Sequence, residues 1–276
     1  MADRAVVLAA GRGTRMQEKD GDVSLDEKTR RMAERGLKGL IPVNGRPFLD
    51  YIVDSFVKAG VEHICLVRSP DCDAMEQYAR DVTARSPAEV DCAVQEEPLG
   101  TAHAVLSAAD CVGDGPFLLS NSDNLCDLAA LRTLASADEC AVAAFQREAL
   151  AQQGNVSSER VRSFAAVDVD GCGSLRGIVE KPDDPEQYAV EGHVWVNLNL
   201  YRFEPVIFDA CRRIEPNEAR AELELTDAVD LLLSDGEPFR VLRCSGGAVD
   251  LTRRSDIPDA ERVLADRKPS FPAPEL

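Results

Sequence analysis

Apolar and polar positions follow two rhythms along the first half of the chain. Short β-rich runs, "RAVVLAA" (4–10), "HICLV" (63–67), "VDCAV" (90–94) and "PFLLS" (116–120), are separated by amphipathic stretches at 48–59, 71–84 and 101–112. Such alternation predicts a parallel sheet covered by helices on both faces. The run "VVLAA" has no polar interruption, as expected of a strand buried on both sides. The 48–59 helix is expected to stop at Gly60. After about residue 138 the rhythm changes. "ECAVAAF" (139–145), "RVRSFAAVDVD" (160–170), "SLRGIVEKP" (174–182) and "HVWVNLNLYRF" (193–203) read as strands with few helices between them. They predict a mixed or antiparallel extension of the same sheet. Helices return at about 204–213, 225–234 and 256–267, and "KPSFPAPEL" reads as a loose tail. One domain is expected over 1–267, in two halves at 1–137 and 138–267, with the tail at 268–276.

With 276 residues, 45% of them hydrophobic, the chain can bury a sizeable core. No window approaches 18 apolar residues and the N-terminus has no signal-peptide pattern, so a cytoplasmic protein without a membrane partner is expected. The nine cysteines are scattered with no C-x-x-C pair, which favours reduced, packed thiols over a zinc site. The three histidines, 63, 103 and 193, have no metal or triad spacing and read as structural. A net charge of -18 argues against nucleic acid. The charge is uneven, however: residues 12–46 hold nine Lys or Arg against six Asp or Glu, a local +3 that suits a small anion.

Within that basic island lies "LAAGRGTRM" (8–16), an apolar run breaking into Gly11, Arg12, Gly13, Thr14 and Arg15. A strand that ends in a glycine-rich turn offers backbone N–H groups to phosphate. A dinucleotide fingerprint would need glycine where Met16 stands, and a P-loop would need Gly-Lys-Ser/Thr. A tight strand-to-helix turn with solvated arginines is the competing reading.

The turn is followed, in order, by "LKGLIPVNGRPFLDY" (37–51), "QEEPLGTAHAV" (95–105), "NSDN" (121–124), "VEKP" (179–182), "ELELTD" (222–227) and "VDLTRRSDI" (249–257). This ordered set resembles the sugar nucleotidyltransferase family from residue 5 to about 265. The resemblance implies a Rossmann-like α/β fold of the nucleotide-diphospho-sugar transferase type, with a mixed, mostly parallel central sheet. It also implies a reaction in which a sugar 1-phosphate and a nucleoside triphosphate give a nucleotide sugar and pyrophosphate, with Mg²⁺ as cofactor. These two substrates are the expected partners, and a homo-oligomer is left open.

The resemblance carries over residue by residue. Ala10, Gly11, Gly13 and Thr14 would meet the triphosphate, with Arg15 on the leaving pyrophosphate and Arg12 either helping or solvated. Lys38 matches the lysine before the "PV-x-x-(K/R)-P" turn and would face the α-phosphate. Asp123 would hold Mg²⁺ beside Asn124, although Ser122 replaces the family glycine. Asp250 matches the second metal acid, but its frame here is Val249, Asp250, Leu251, Thr252, without the usual tryptophan and glycine. Gln95, Gly100 and Thr101 match the nucleotide-reading loop, and an amide there favours UTP or dTTP. Glu180 and Lys181 would contact the sugar and its phosphate, with a cross-strand ion pair as their structural reading. Asn197 or Asn199, with Glu222 and Asp227, would line the sugar pocket. Asn199 and Ala165 stand where glycine is usual, which reshapes that side. The missing hexapeptide repeats lead to the expectation of a single activity.

Other readings stay open at this level. A cytidylyltransferase for phosphocholine or a similar phosphate would differ only in the acceptor pocket. A glycosyltransferase would prefer Asp-x-Asp where "SNSDN" offers one acid. A non-catalytic nucleotide-binding subunit would be expected to have lost Arg15, Lys38 or Asp123. The stretch between Gly13 and Lys38 is longer than in the family. Residues 25–35 read as a helix, with Ser24 and Glu27 as a capping box and Gly36 as the stop. Its Lys28, Arg30, Arg31 and Arg35 make it either a basic lid or a solvated surface helix.

Overall fold

A computed structural model describes residues 1–18, 25–217 and 221–274. Nine strands form the main sheet: β1 (Arg4–Leu8), β2 (His63–Arg68), β3 (Glu89–Val94), β4 (Phe117–Asn121), β5 (Cys140–Gln146), β6 (Ala166–Val169), β7 (Leu175–Val179), β8 (Trp195–Phe203) and β9 (Phe239–Cys244). The path runs β7-β6-β8-β4-β1-β2-β3, with β5 on β8 and β9 on β5. Strands β4, β1, β2 and β3 are mutually parallel. Beyond β4 the sheet turns antiparallel through β8, which pairs with β4, β5 and β6. The expected mixed sheet is therefore present: the four-stranded parallel block comes from the first half of the chain, and β9 adds a further parallel pairing with β5.

Burial on both faces explains the uninterrupted apolar run in β1. Val6 and Val7 are fully buried and belong to two different cores, one on each side of the sheet. Helix Phe48–Lys58 has an apolar face against one core and stops before Gly60. Helix Asp73–Thr83 covers β3, while the 101–112 stretch breaks at Ala108 into Thr101–Ser107 and Ala109–Val112.

Four expectations need correction. The 160–170 run is a strand only over Ala166–Val169. Its start lies in a short helix, Ser158–Val161, because the Ser157 side chain accepts from the Arg160 N–H as an N-cap. A further helix, Arg147–Gln153, fills the region expected to hold mainly strands. The inserted helix spans Glu27–Glu34 and is capped by Asp26, whose carboxylate accepts from the Thr29 N–H at 2.9 Å; Ser24 lies outside the described residues. The tail is not loose up to residue 274. Phe271 is buried at 5% exposure, and Ser270 donates to Asp54 through its N–H and hydroxyl at 2.7 Å each.

No helix among the described residues is long and apolar enough to cross a membrane. All nine cysteines are free, with five buried and Cys172 exposed.

Candidate functional site

The C-terminal ends of β1 and β4 are adjacent, and a cavity of about 490 Å³ opens above them. This is where parallel α/β sheets place ligands, because the loops leaving neighbouring strands diverge there. Its floor follows β1 into the glycine turn, and Ala10, Gly11, Gly13 and Thr14 all line it. Gly13 has φ 60°, and a Cβ on it would lie 2.5 Å from the Gly36 carbonyl oxygen. Gly36, at φ 69°, would in turn drive a Cβ into the Arg12 carbonyl. Two backbone segments therefore touch with no room for a side chain on either, and this contact docks the end of the insertion onto the turn. Among the insertion's described residues, Gly36 and Leu37 line the cavity, and Lys28, Arg30, Arg31 and Arg35 do not. Arg31 instead pairs with Glu27 on the exposed helix face.

Lys38 and Asp123 face each other across the cavity wall, Nζ to Oδ2 at 2.7 Å, with both side chains less than one-fifth exposed. The other Asp123 oxygen accepts no hydrogen bond from the described residues. Arg15, on the short helix Thr14–Gln17, is exposed beside the turn and makes no ion pair among the described residues. That helix is held from behind by Arg254, buried at 7% exposure, which donates to the Met16 and Gln17 carbonyls at 2.9 Å each. Sequence reasoning missed Arg254, because an arginine buried to satisfy a helix C-terminus looks like any surface arginine in the sequence.

At the other end of the cavity stands Gln95, just beyond β3 and 6% exposed. Its Nε2 donates to the Gly100 carbonyl at 2.9 Å and lies 3.3 Å from Nδ1 of His103. A carbonyl can only accept, so the amide nitrogen is engaged by the protein, and Oε1 is left without a donor among the described residues. Gly100, at φ 119°, packs against Leu223 so closely that a Cβ would overlap the Leu223 carbonyl. The Thr101 hydroxyl accepts from the Leu225 N–H at 2.9 Å, which ties the 222–225 segment to the same wall. Glu222 also lines the cavity.

The remaining sequence-selected residues lie off this cavity. Glu180 and Lys181 follow β7 and are exposed; Lys181 has φ 44°, and neither makes an ion pair among the described residues. Asn197 and Asn199 sit at an irregularity in β8. Asn199 has φ 55°, a left-handed conformation that accounts for the glycine usual there and that asparagine tolerates better than most residues. The Asn197 side chain is occupied by Asn199 and Tyr201, donating at 3.0 and 2.8 Å. Asp250 is buried beside Asp123, and burial together with the Asp123 charge pushes its carboxyl above the usual aspartate range. Its Oδ2 accepts from Asn124 at 3.0 Å, and Oδ1 is taken by Arg160. Asp250 therefore does not line the cavity. Among the described residues no group of three or more His, Cys, Asp or Glu is arranged to hold a metal.

A family model described as nucleotidyl transferase matches residues 4–246. The low-salt glycan biosynthesis nucleotidyltransferase Agl11 of Haloferax volcanii is 29% identical over 270 residues, covering 96% of this chain and 67% of that protein. The UTP–glucose-1-phosphate uridylyltransferase AglF of the same organism is 29% identical over 265 residues, covering 95% and 97%. A solved structure of UDP-glucose pyrophosphorylase complexed with UDP-glucose superposes with TM-score 0.74 at 18% identity, covering 97% of this chain and 100% of that one. That likeness shows a shared fold.

Proposed function

We propose that this chain, which belongs to the nucleotidyl transferase family, joins a sugar 1-phosphate to a nucleoside triphosphate, UTP or dTTP, and releases pyrophosphate. The observation that carries the reading is a convergence in one cavity. The glycine turn, the Lys38–Asp123 pair and the Gln95 amide line the same space. The relative AglF, covered over 97% of its length, is named for a reaction of this class.

The chemistry asks little of acid–base groups. A phosphate monoester has its second pKa near about 6, so the attacking oxygen is already largely ionised at neutral pH. It attacks the α-phosphorus; the new P–O bond forms as the bond to the β-phosphate oxygen breaks, and pyrophosphate leaves with the electron pair. What remains is to bring two polyanions together and to stabilise the charge that moves to the leaving group. Backbone N–H groups of the glycine turn would hold the triphosphate, Lys38 would neutralise α-phosphate oxygens, and the Arg15 fork would hold the pyrophosphate.

Mg²⁺ is part of this proposal, and the residues present fit it at one acid. Asp123 lines the cavity with a hard carboxylate, one oxygen of which accepts from no donor among the described residues, and this suits a cation that keeps most of its waters. Bound there, Mg²⁺ would neutralise phosphate charge.

Base choice follows from Gln95. With Nε2 held by the Gly100 carbonyl, Oε1 is the group left to meet a base. Uracil and thymine carry an N–H at N3, whereas cytosine has a lone pair there, so the acceptor favours the first two.

A pyrophosphate-release assay of the five common nucleoside triphosphates against a panel of sugar 1-phosphates, with and without Mg²⁺, tests the reading. Release is expected only when UTP or dTTP, a sugar 1-phosphate and Mg²⁺ are all present. Turnover with CTP and phosphocholine alone, or none with any pair, would overturn it.

A further inference from the structure

Two acids meet behind the phosphate end of the cavity, and they differ in what each oxygen touches. The short strand Ala248–Asp250 pairs antiparallel with Asn124–Cys126, which sets Asp250 opposite Asn124, one residue beyond Asp123. The Leu251 N–H donates to the Asp123 carbonyl at 2.9 Å, so the two acids sit on one knot of backbone. Asp123 lines the cavity, gives one oxygen to Lys38 and accepts on the other from none of the described residues. Asp250 has neither oxygen free: Arg160 donates to Oδ1 and Asn124 to Oδ2, and the residue is 6% exposed.

The neighbouring contacts hold this arrangement firmly. The second nitrogen of Arg160 forks onto Asp256 at 3.0 and 2.9 Å. Asn155 pairs with both backbone polar groups of Asp250, accepting its N–H at 2.8 Å and donating to its carbonyl at 2.7 Å. Segment 155–160 thus fastens Asp250 through main chain and side chain together. For Asp250 to turn toward a cation in the cavity, it would have to give up a buried charge-assisted hydrogen bond and leave Arg160 with one acid fewer, and breaking buried pairs is costly.

We infer that Arg160 is the resident counter-charge of Asp250, and that of the two acids only Asp123 contacts the divalent cation. Asp250 is then a positioning residue: it orients Asn124 and the strand end that carries Asp123. The inference rests on the reaction proposed above, which supplies the need for a cation at Asp123.

Mn²⁺ titrated into the protein with UTP present, and followed by the electron paramagnetic resonance signal of free Mn²⁺ against a blank holding the same UTP without protein, reads cation affinity without turnover. Asp123→Asn removes a direct ligand and its charge, so affinity should fall roughly tenfold or more. Asp250→Asn should leave affinity within roughly threefold while lowering kcat about tenfold, because Asn124 and its neighbour shift. Arg160→Met releases the Asp250 carboxylate and should tighten Mn²⁺ binding severalfold, whereas Arg160→Lys keeps the charge and should stay near wild type. If Arg160→Met does not fold, the two aspartate variants still decide the matter. Loss of Mn²⁺ affinity in Asp250→Asn equal to that in Asp123→Asn, with an unchanged circular-dichroism spectrum, would overturn the inference and leave the proposed reaction standing. Failure of the wild type to hold Mn²⁺ with UTP would overturn both.

Discussion

The two ends of the proposed reaction are built from different kinds of backbone. At the triphosphate end, loops leaving two adjacent parallel strands are pinned to one another, Gly13 to Gly36 by main-chain contact and Lys38 to Asp123 by an ion pair. At the end where the resemblance implies the sugar, Glu180 and Lys181 follow an antiparallel strand, stand exposed and make no ion pair among the described residues, while Asn197 is satisfied by its own neighbours. The difference teaches where preorganisation is concentrated. Charge that develops in a transition state is stabilised best by groups already fixed in place. Neutral hydroxyls of a sugar need no such standing field.

The largest effect that can break this comparison lies in the Lys38–Asp123 pair. Asp123→Asn keeps the shape and removes the charge, and steady-state pyrophosphate release should fall roughly 10²-fold or more, the size of losing a main electrostatic stabiliser. Glu180→Gln, at the other end, should cost clearly less. Equal losses at the two positions would mean that the sugar end depends on charge as strongly as the phosphate end does.

A pair of glycine substitutions sharpens the same contrast. Gly13→Ala combines a positive φ with a clash on Gly36, so both thermal stability and UTP affinity should fall, affinity by roughly tenfold or more. Gly11→Ala meets nothing within 4 Å in the free protein. Its melting temperature should hold, and any loss of affinity in calorimetry then reports a nucleotide that approaches the Gly11 backbone. Unchanged UTP binding in both variants would remove the turn from the site.

That Gly11–Thr14, Lys38, Gln95 and Asp123 would share one cavity could be expected from the sequence because each lies in a short motif whose chemistry is local, whereas Arg15 stands beside that cavity. The parallel half of the sheet was legible for a related reason: its strands are continuous apolar runs such as "VVLAA". What escaped was polar structure made between distant segments. Arg160 lay inside a stretch read as a strand, since Val161, Phe164 and the run after it outweighed one N-capping serine. Nothing in the sequence around Arg254 says that its guanidinium ends a helix 238 positions away. Asp250 was found, but its partners were not, and the partners decide whether its oxygens face a ligand.

A smaller effect is expected at the sugar end itself. Lys181→Met should raise KM for the sugar 1-phosphate by about tenfold, the weight of one charge-assisted contact, and leave KM for UTP within about twofold. Equal shifts in both constants would place Lys181 on the nucleotide instead.

The smallest effect on activity belongs to the tail, which marks the boundary of the comparison. Phe271 sits between the Arg46 and Arg85 guanidinium groups, 5.3 and 5.5 Å from its ring centre. Both arginines also hold the fully buried Asp50, and neither lines the cavity. Phe271→Ala should therefore leave kcat and KM within about twofold while lowering stability, by no more than the roughly 3–5 kcal/mol of a buried phenylalanine. The neighbouring contact gives this docking a pH dependence. Burial pushes the Asp54 carboxyl up, but Lys58 and the two Ser270 donors outweigh it and hold the group below the usual aspartate range. A carboxyl lowered on folding contributes its stability above the ordinary aspartate pKa of about 3.9, and loses it as pH falls through the lower folded value. Ser270→Ala removes one of the donors that lower it, the hydroxyl. Melting temperatures measured downward from about pH 6 should thus fall less steeply in Ser270→Ala than in the wild type across that acid window. Parallel curves would mean that the Ser270 hydroxyl adds nothing to the folded form of Asp54.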